Sequence, residues 1–517
     1  MHRGWSIPEV VALICGIAEF PTLAALAQTC QAFQAPAFSV LWRDQSDLMQ
    51  LLKCLPSDLW ELEVEDDFGP TLRFRRSIIA SDWTRVLFYA VYVKSLIENG
   101  QLPVTAEIYA TLSVSLPKYP LFPNLRHLTW STRDDVFPYI RILVGDKLKS
   151  IVLSMQGSKT IRSSLLLSLT TSHPTLTHVE FVTVNNPPMI IQAIHSAICS
   201  WNHLEKLRSN TLDLPSMLHL ARLPNLKSLR LDHFPSYSTT TKELEARVAS
   251  TGPAFAPLRE FIVYSDPILD ITSFLDVIEP DALDKIQLSI EAPTVTEDWQ
   301  TLNASLACKS SKTLTELSLR ENFSYDHEIP DSLERMLTTD SLRPLLSFAN
   351  LVEVAVVAGH GIDLDDAFLE EMALAWPQLQ KLDLSPGCQS ARYVPQITLA
   401  GLIPLAQHCP SLASLALVMN ATDVDPFVKE KPGRGITNRS LVDLNVVESP
   451  LTSPGAVASF LSAIFPNLQR VTTRDEMARN PLSPDWDDNM FHWSTVSTLV
   501  QVISSARAQE HWLPART

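Results

Sequence analysis

Apolar positions recur along most of this chain in one short phrase. From Leu116 onward a leucine is followed three positions later by Leu, Ile or Val (Phe261 in one copy), and two positions after that by Leu, Val, Phe or a polar substitute (Trp130 in one copy), as in FPNLRHLTW, LPNLKSLRL, WPQLQKLDL and FPNLQRVTT. The first leucine falls at Leu125, Leu148, Leu176, Leu204, Leu226, Leu258, Leu283, Leu314, Leu351, Leu379, Leu412, Leu441 and Leu468, thirteen copies at a mean step of about 29 residues. Alternation of the second and third apolar positions with outward residues is the period of a strand. Between copies lie apolar stretches with helical spacing: Ile161 to Ser172, Met189 to Ser200, Ile271 to Pro280, Ala367 to Trp376, Leu399 to Cys409 and Val457 to Phe465. Strand, turn, helix and turn make one coil of an α/β solenoid.

The first hundred residues follow another rhythm. Ser6 can cap a helix that opens with Ile7, Pro8 and Glu9, and Pro21 is expected to stop it beyond Phe20. Thr22 would cap a second helix with Leu23, Leu26 and Cys30 in one stripe, flanked by Ala27 and Phe33 and closed by Pro36; a third short piece carries Phe38, Leu41 and Trp42. Val10, Val11, Leu13, Ile14 and Ile17 cover more of the first helix than one buried face needs. So small a helical head cannot bury all these side chains internally, so part of its surface should meet a partner. Beyond it, Asp47 to Pro56 reads as an amphipathic helix, the acidic run ELEVEDD (Glu61 to Asp67) as a solvated loop, and Ser81 as the cap of a helix reaching Glu98.

Composition narrows the function. Of 517 residues 46% are hydrophobic and 19% charged, a globular balance, and the net charge of −16 argues against a nucleic-acid partner, which needs clustered Lys and Arg. The seven cysteines are far apart with no CxxC, as buried thiols in a reducing compartment would be. No run reaches a membrane span, and the apolar stretch Val10 to Ala18 lacks a basic head and a convincing cleavage site. A cytoplasmic or nuclear protein is expected.

Catalytic constellations are weak. His360 with Asp363, Asp365 and Asp366, and Asp485, Asp487 and Asp488 with His492, fit no metal-binding spacing, and Lys431 to Gly435 lacks the strand and helix of a phosphate loop. The chain is expected to be no enzyme and to need no cofactor or metal. Binding is better supported: outward strand residues line one face of the solenoid, among them His127, Thr129, Ser228 and Glu316, and the candidates for substrate contact Arg230, Asp232, Tyr264, Arg320, Lys381, Asp383 and Asn445.

Two resemblances complete the reading. Ile-Pro-Glu-Val at residues 7–10, Ile14, Leu23, Leu26, Thr-Cys-Gln-Ala-Phe at 29–33 and Leu-Trp-Arg at 41–43 resemble the F-box, most closely the F-box-like variant of mushroom-forming fungi; Phe33 stands where the general family often has tryptophan, and Ile7 replaces leucine. The repeated phrase resembles leucine-rich repeats, with steps that vary from 22 to 37 residues and little of the asparagine ladder of regular arrays, so an irregular solenoid is expected with insertions at Tyr237 to Thr251, Asn322 to Thr339 and Val424 to Asn438. The domains expected are an all-helical F-box-like head at 1–46, a helical linker and cap at 47–115, the repeats at 116–473 and a C-terminal cap at 474–517.

The F-box resemblance implies docking onto the Skp-type adaptor of an SCF cullin ubiquitin ligase, with Ile7, Pro8, Val10, Ile14, Leu23, Leu26, Cys30, Phe33, Leu41 and Trp42 as the adaptor-binding set and the repeats capturing a substrate protein. The alternative is a leucine-rich-repeat scaffold or inhibitor with no ligase link, its head a structural cap.

Overall fold

A computed structural model describes residues 7–65, 69–99, 104–183, 187–233, 254–265, 268–278, 283–292, 294–308, 313–321, 335–359, 361–386, 395–424, 432–447, 449–473 and 484–510. The chain forms two compact units, Met1–Leu226 and Lys227–Thr517.

The N-terminal unit opens with three helices, α1 (Pro8–Ile17), α2 (Phe20–Thr29) and α3 (Gln31–Leu41). Two prolines act differently from the sequence reading. Pro21 does not stop α1; it sits at the second position of α2, where a missing N–H leaves no bond unmade, and Glu19 rather than Thr22 occupies the cap position. Pro36 lies inside α3 rather than at its end, so Phe33, Phe38 and Leu41 share one helix. The break falls instead at Cys30, whose extended backbone separates α2 from α3. Val11, Cys15, Leu23, Ala27, Phe33 and Ala37 form the core of this head.

α3 runs almost directly into a strand. Asp44–Gln45 pairs in parallel with Ser95–Glu98, so the parallel ladder reaches back to the foot of the head. The helix expected from Ser81 to Glu98 therefore breaks: Trp83–Ala90 is helical, and Ser95–Glu98 is a strand whose Leu96 and Glu98 turn inward. Of Asp47 to Pro56 only Met49–Leu52 is α-helical. As far as Glu65 the acidic run is no loop: its Glu-Leu-Glu-Val alternation has the period of a strand, and Trp60–Glu65 pairs antiparallel with Gly69–Phe74, Glu61 and Glu63 ion-paired with Arg75 and Arg73.

Thirteen strands carry the repeated phrase, and each begins two residues after its leading leucine, from His127–Trp130 after Leu125 to Arg470–Thr472 after Leu468. All thirteen leucines are at most 2% exposed. In the N-terminal unit the parallel order is 44–45, 95–98, 127–130, 150–154, 178–182 and 206–209. In the C-terminal unit it is 228–231, 260–265, 285–290, 316–321, 353–357, 381–384, 414–417, 443–445 and 470–472. Helices such as Lys159–Ser172, Pro188–Ile198, Asp366–Ala375 and Pro454–Ile464 alternate with the strands, as the spacing predicts. Both units are thus α/β solenoids of leucine-rich-repeat-like coils.

One backbone device recurs between coils. The carbonyl just before a strand accepts the N–H groups of two consecutive residues in the next coil: Arg43 O from Lys94 and Ser95, Lys94 O from Arg126 and His127, Arg126 O from Lys149 and Ser150. The C-terminal unit repeats it from Lys227 O to Val442 O, which takes Gln469 and Arg470. The second of these donors is the first residue of the next strand, so each coil is clamped where it turns into its strand.

The expected insertions lie mostly outside the described residues, as do Ser6, His360 and Lys431. The C-terminal helix Pro484–Glu510 packs Trp493, Val496 and Val500 inward, and the Trp493 indole donates to Ser449 O at 2.7 Å. No helix among the described residues is long and apolar enough to cross a membrane.

Two stability predictions follow from this core. Leu379→Ala should lower stability by about 2–5 kcal/mol through lost burial and a cavity, whereas Lys381→Ala, on an exposed position two residues on, should stay within about 0.5 kcal/mol; urea unfolding of both variants measures this. Glu98 is buried and accepts the Tyr109 hydroxyl at 2.9 Å, and burial pushes its carboxyl above the usual range. The folded chain then holds this proton more tightly than the unfolded one, so the group's contribution is present in acid and lost as pH rises through the folded value. Glu98→Gln keeps an acceptor for Tyr109 and should gain on the wild type between mildly acidic and neutral pH; a difference that does not change with pH contradicts this.

Candidate docking surfaces

α1 is apolar on two sides. Val11 and Cys15 point into the head with Ile14 and Ala18 beside them. Spacings of three and four place Ile7, Val10, Leu13 and Ile17 on another side, and all are exposed, Leu13 by 70% and Ile17 by 87%. Phe20, at the first position of α2 and 68% exposed, adds an aromatic ring just past the end of this stripe. Single exposed apolar side chains are ordinary, but five within fourteen residues form a patch that water covers poorly.

The ten residues implied by the F-box resemblance divide by position. Ile7, Pro8 and Val10 are exposed on α1 or just ahead of it. Leu23 and Phe33 are buried in the head's own core, with Ile14, Leu26, Cys30 and Leu41 packed against it, so Leu23 and Phe33 serve the packing of the head. Trp42 stacks on Tyr89 of the helix Trp83–Ala90 with ring centroids 4.6 Å apart, while Phe38 meets Phe88 and Tyr89 edge-on. This aromatic seam fastens the head to the first coil. The exposed stripe also holds Leu13, Ile17 and Phe20, which the adaptor-binding set does not name. The excess of apolar residues on α1 was the available signal for the first two, and Phe20 was hidden by assigning Pro21 as a helix stop.

The strand face of the C-terminal unit gathers five of its seven candidates into two groups. The Arg230 guanidinium lies 5.1 Å from the Tyr264 ring centre, donates to the Tyr264 hydroxyl at 3.3 Å and sits 3.5 Å from Asp232. Arg320 reaches past the strand 353–357 to Asp383 at 2.9 Å, and Asp383 also accepts the Ser385 hydroxyl at 2.6 Å. Lys381 and Asn445 stand apart. Lys381 is exposed, and Asn445 Oδ1 accepts the Val447 N–H at 2.9 Å in a turn where Val447 takes φ 53°, so its side chain shapes the end of a strand. These charges largely satisfy one another: Lys285 pairs with Glu316 and Arg470 with Asp443 on the same face.

The weaker constellations resolve into structural roles where they are described. Asp365 caps the helix Asp366–Ala375 through the Phe368 N–H at 2.8 Å, and Asp366 accepts both the N–H and hydroxyl of Thr398. The side chains of Asp485, Asp487 and Asp488 lie outside the described set. No group of three metal-ligating side chains occurs among the described residues.

No protein-family model and no curated protein matches this chain. Among solved structures it is similar to the Rad7 and Elc1 complex of yeast, at 13% identity and a TM-score of 0.34 over 93% of this chain and 94% of that one. It is also similar to the leucine-rich repeat-containing protein LegL7 of Legionella pneumophila, at 13% identity and a TM-score of 0.27 over 68% of this chain and 92% of that one. The strand ladder itself, rather than these distant likenesses, defines the fold.

Proposed function

We propose that this chain is the substrate-recognition subunit of an SCF-type cullin ubiquitin ligase, its head docking a Skp-type adaptor and its repeats holding a substrate protein. The observation that supports this reading is the uncovered stripe Ile7, Val10, Leu13, Ile17 with Phe20, which lies on the segment that resembles the F-box. Such a receptor performs no bond chemistry. It would act by holding a substrate lysine near a ubiquitin-charged enzyme, which raises the effective concentration of the two reactants.

A repeat scaffold or inhibitor without a ligase link is the second reading. It draws on the burial of Leu23 and Phe33 and on the Trp42–Tyr89 stack, because a purely structural cap needs those contacts too.

Calorimetric titration of the full chain with purified Skp adaptor separates the readings. The wild type should bind, and Leu13→Asp with Ile17→Asp should weaken binding on the order of 100-fold, as expected when apolar anchors are lost from an interface centre. Circular dichroism should leave that variant unchanged, since both side chains are already exposed. Absence of binding by a folded wild type would overturn the ligase reading and leave the scaffold.

A further inference from the structure

In a chain of net charge −16, three successive coils of the N-terminal unit stack cations in register. The clamp positions ahead of the strands 95–98, 127–130 and 150–154 are Lys94, Arg126 and Lys149, each tied through its backbone to the coils on either side. The first strand positions are Ser95, His127 and Ser150, aligned as direct neighbours, and the third are Ile97, Thr129 and Val152, aligned likewise. Strand spacing sets the backbones of successive clamp positions about 5 Å apart along the ladder. Across nine aligned positions there is no acidic side chain.

Nothing within the described residues neutralises this row. No ion pair engages the side chains of Lys94, Arg126 or Lys149 among them, and Lys147, one turn away, donates to Asn124 Oδ1 at 2.7 Å. Acids bound the row: Asp44 pairs with Arg43 in the coil before, Glu180 faces out in the coil after, Glu205 takes the clamp position one coil further on, and exposed Asp146 lies on the turn ahead of Lys149. The C-terminal unit treats the same positions differently, with Arg259 paired to Asp284 and then Thr315, Val352 and Gln380. Across the strands the surface grades from cations through hydroxyl and imidazole groups to a neutral strip where Ile97 is 47% exposed.

We propose that these three coils dock an extended acidic segment of a partner protein, its carboxylates over Lys94, Arg126 and Lys149 and its apolar side chains over Ile97, Thr129 and Val152. Charge complementarity selects this occupant: carboxylates relieve the repulsion within the row, and the adjoining strip gives an apolar residue somewhere to lie. A polynucleotide fits poorly, because the row is short and acids lie on both sides of it. The surface works whether or not the head binds an adaptor.

A random peptide library displayed on phage, panned on the full chain without adaptor, tests this, with counter-selection on the variant Lys94→Gln, Arg126→Gln, Lys149→Gln. Selected peptides should be enriched in Asp and Glu interleaved with apolar residues. A fluorescein-labelled copy of the best should lose about tenfold or more in affinity against that variant and again in high salt, while Lys159→Gln, at an exposed helix position away from the row, leaves it unchanged. Matching urea midpoints will show that the triple variant folds. The proposal fails if the peptides show no acidic preference, or if the triple variant binds them equally. It also fails if a labelled single-stranded oligonucleotide binds as tightly as the peptide and is lost in the same variant.

Discussion

The structure depends on the clamp where each coil turns into its strand. One carbonyl receiving two N–H groups from the next coil fixes the height and the rotation of that coil together, because two adjacent donors can converge on one oxygen only over a narrow range of orientations. The leading leucine sits one residue before the clamp carbonyl and is buried in every copy of the phrase, so the most apolar position and the most constrained backbone position are neighbours. Core packing and backbone register therefore support each other, and the connections between coils can vary in length without moving the strands.

That arrangement explains why the repeats were legible in the sequence and the region ahead of them was not. A strand beginning two residues after a leucine is a local rule, and it held for each of the thirteen phrases because leucine burial and clamp are both local. Ser95–Glu98 obeys the same geometry with the buried Val93 in place of the leading leucine, so the phrase was disguised and the helical spacing of Trp83, Val86 and Ala90 carried the helix too far. The acidic run was misread for a related reason: its charge suggested solvent, while its alternation already had the period of the hairpin it forms. Proline misled in both directions, since Pro21 begins a helix and Pro36 is carried within one.

The candidate docking surfaces were legible only in aggregate. Sequence shows that α1 has too many apolar residues, but only packing decides that Val11 and Cys15 turn inward and Leu13 and Ile17 outward. Likewise the outward strand positions were identifiable, yet their pairing was not. Arg320 and Asp383 are 63 positions apart in the chain and meet only because a coil lies between them. Long-range ion pairs of this kind depend on register, which no single phrase contains.

The seam between head and first coil has a geometric consequence. α3 ends at Leu41, the first strand begins at Asp44, and Trp42 between them is stacked on Tyr89, so no slack chain separates the three-helix head from the coils that follow. Anything held on the second to fourth coils then stands at a distance from the head counted in whole coils, as on a ruler, where a tether would let it wander. A receptor built this way would discriminate among acceptor groups on its cargo by where they lie along that ruler.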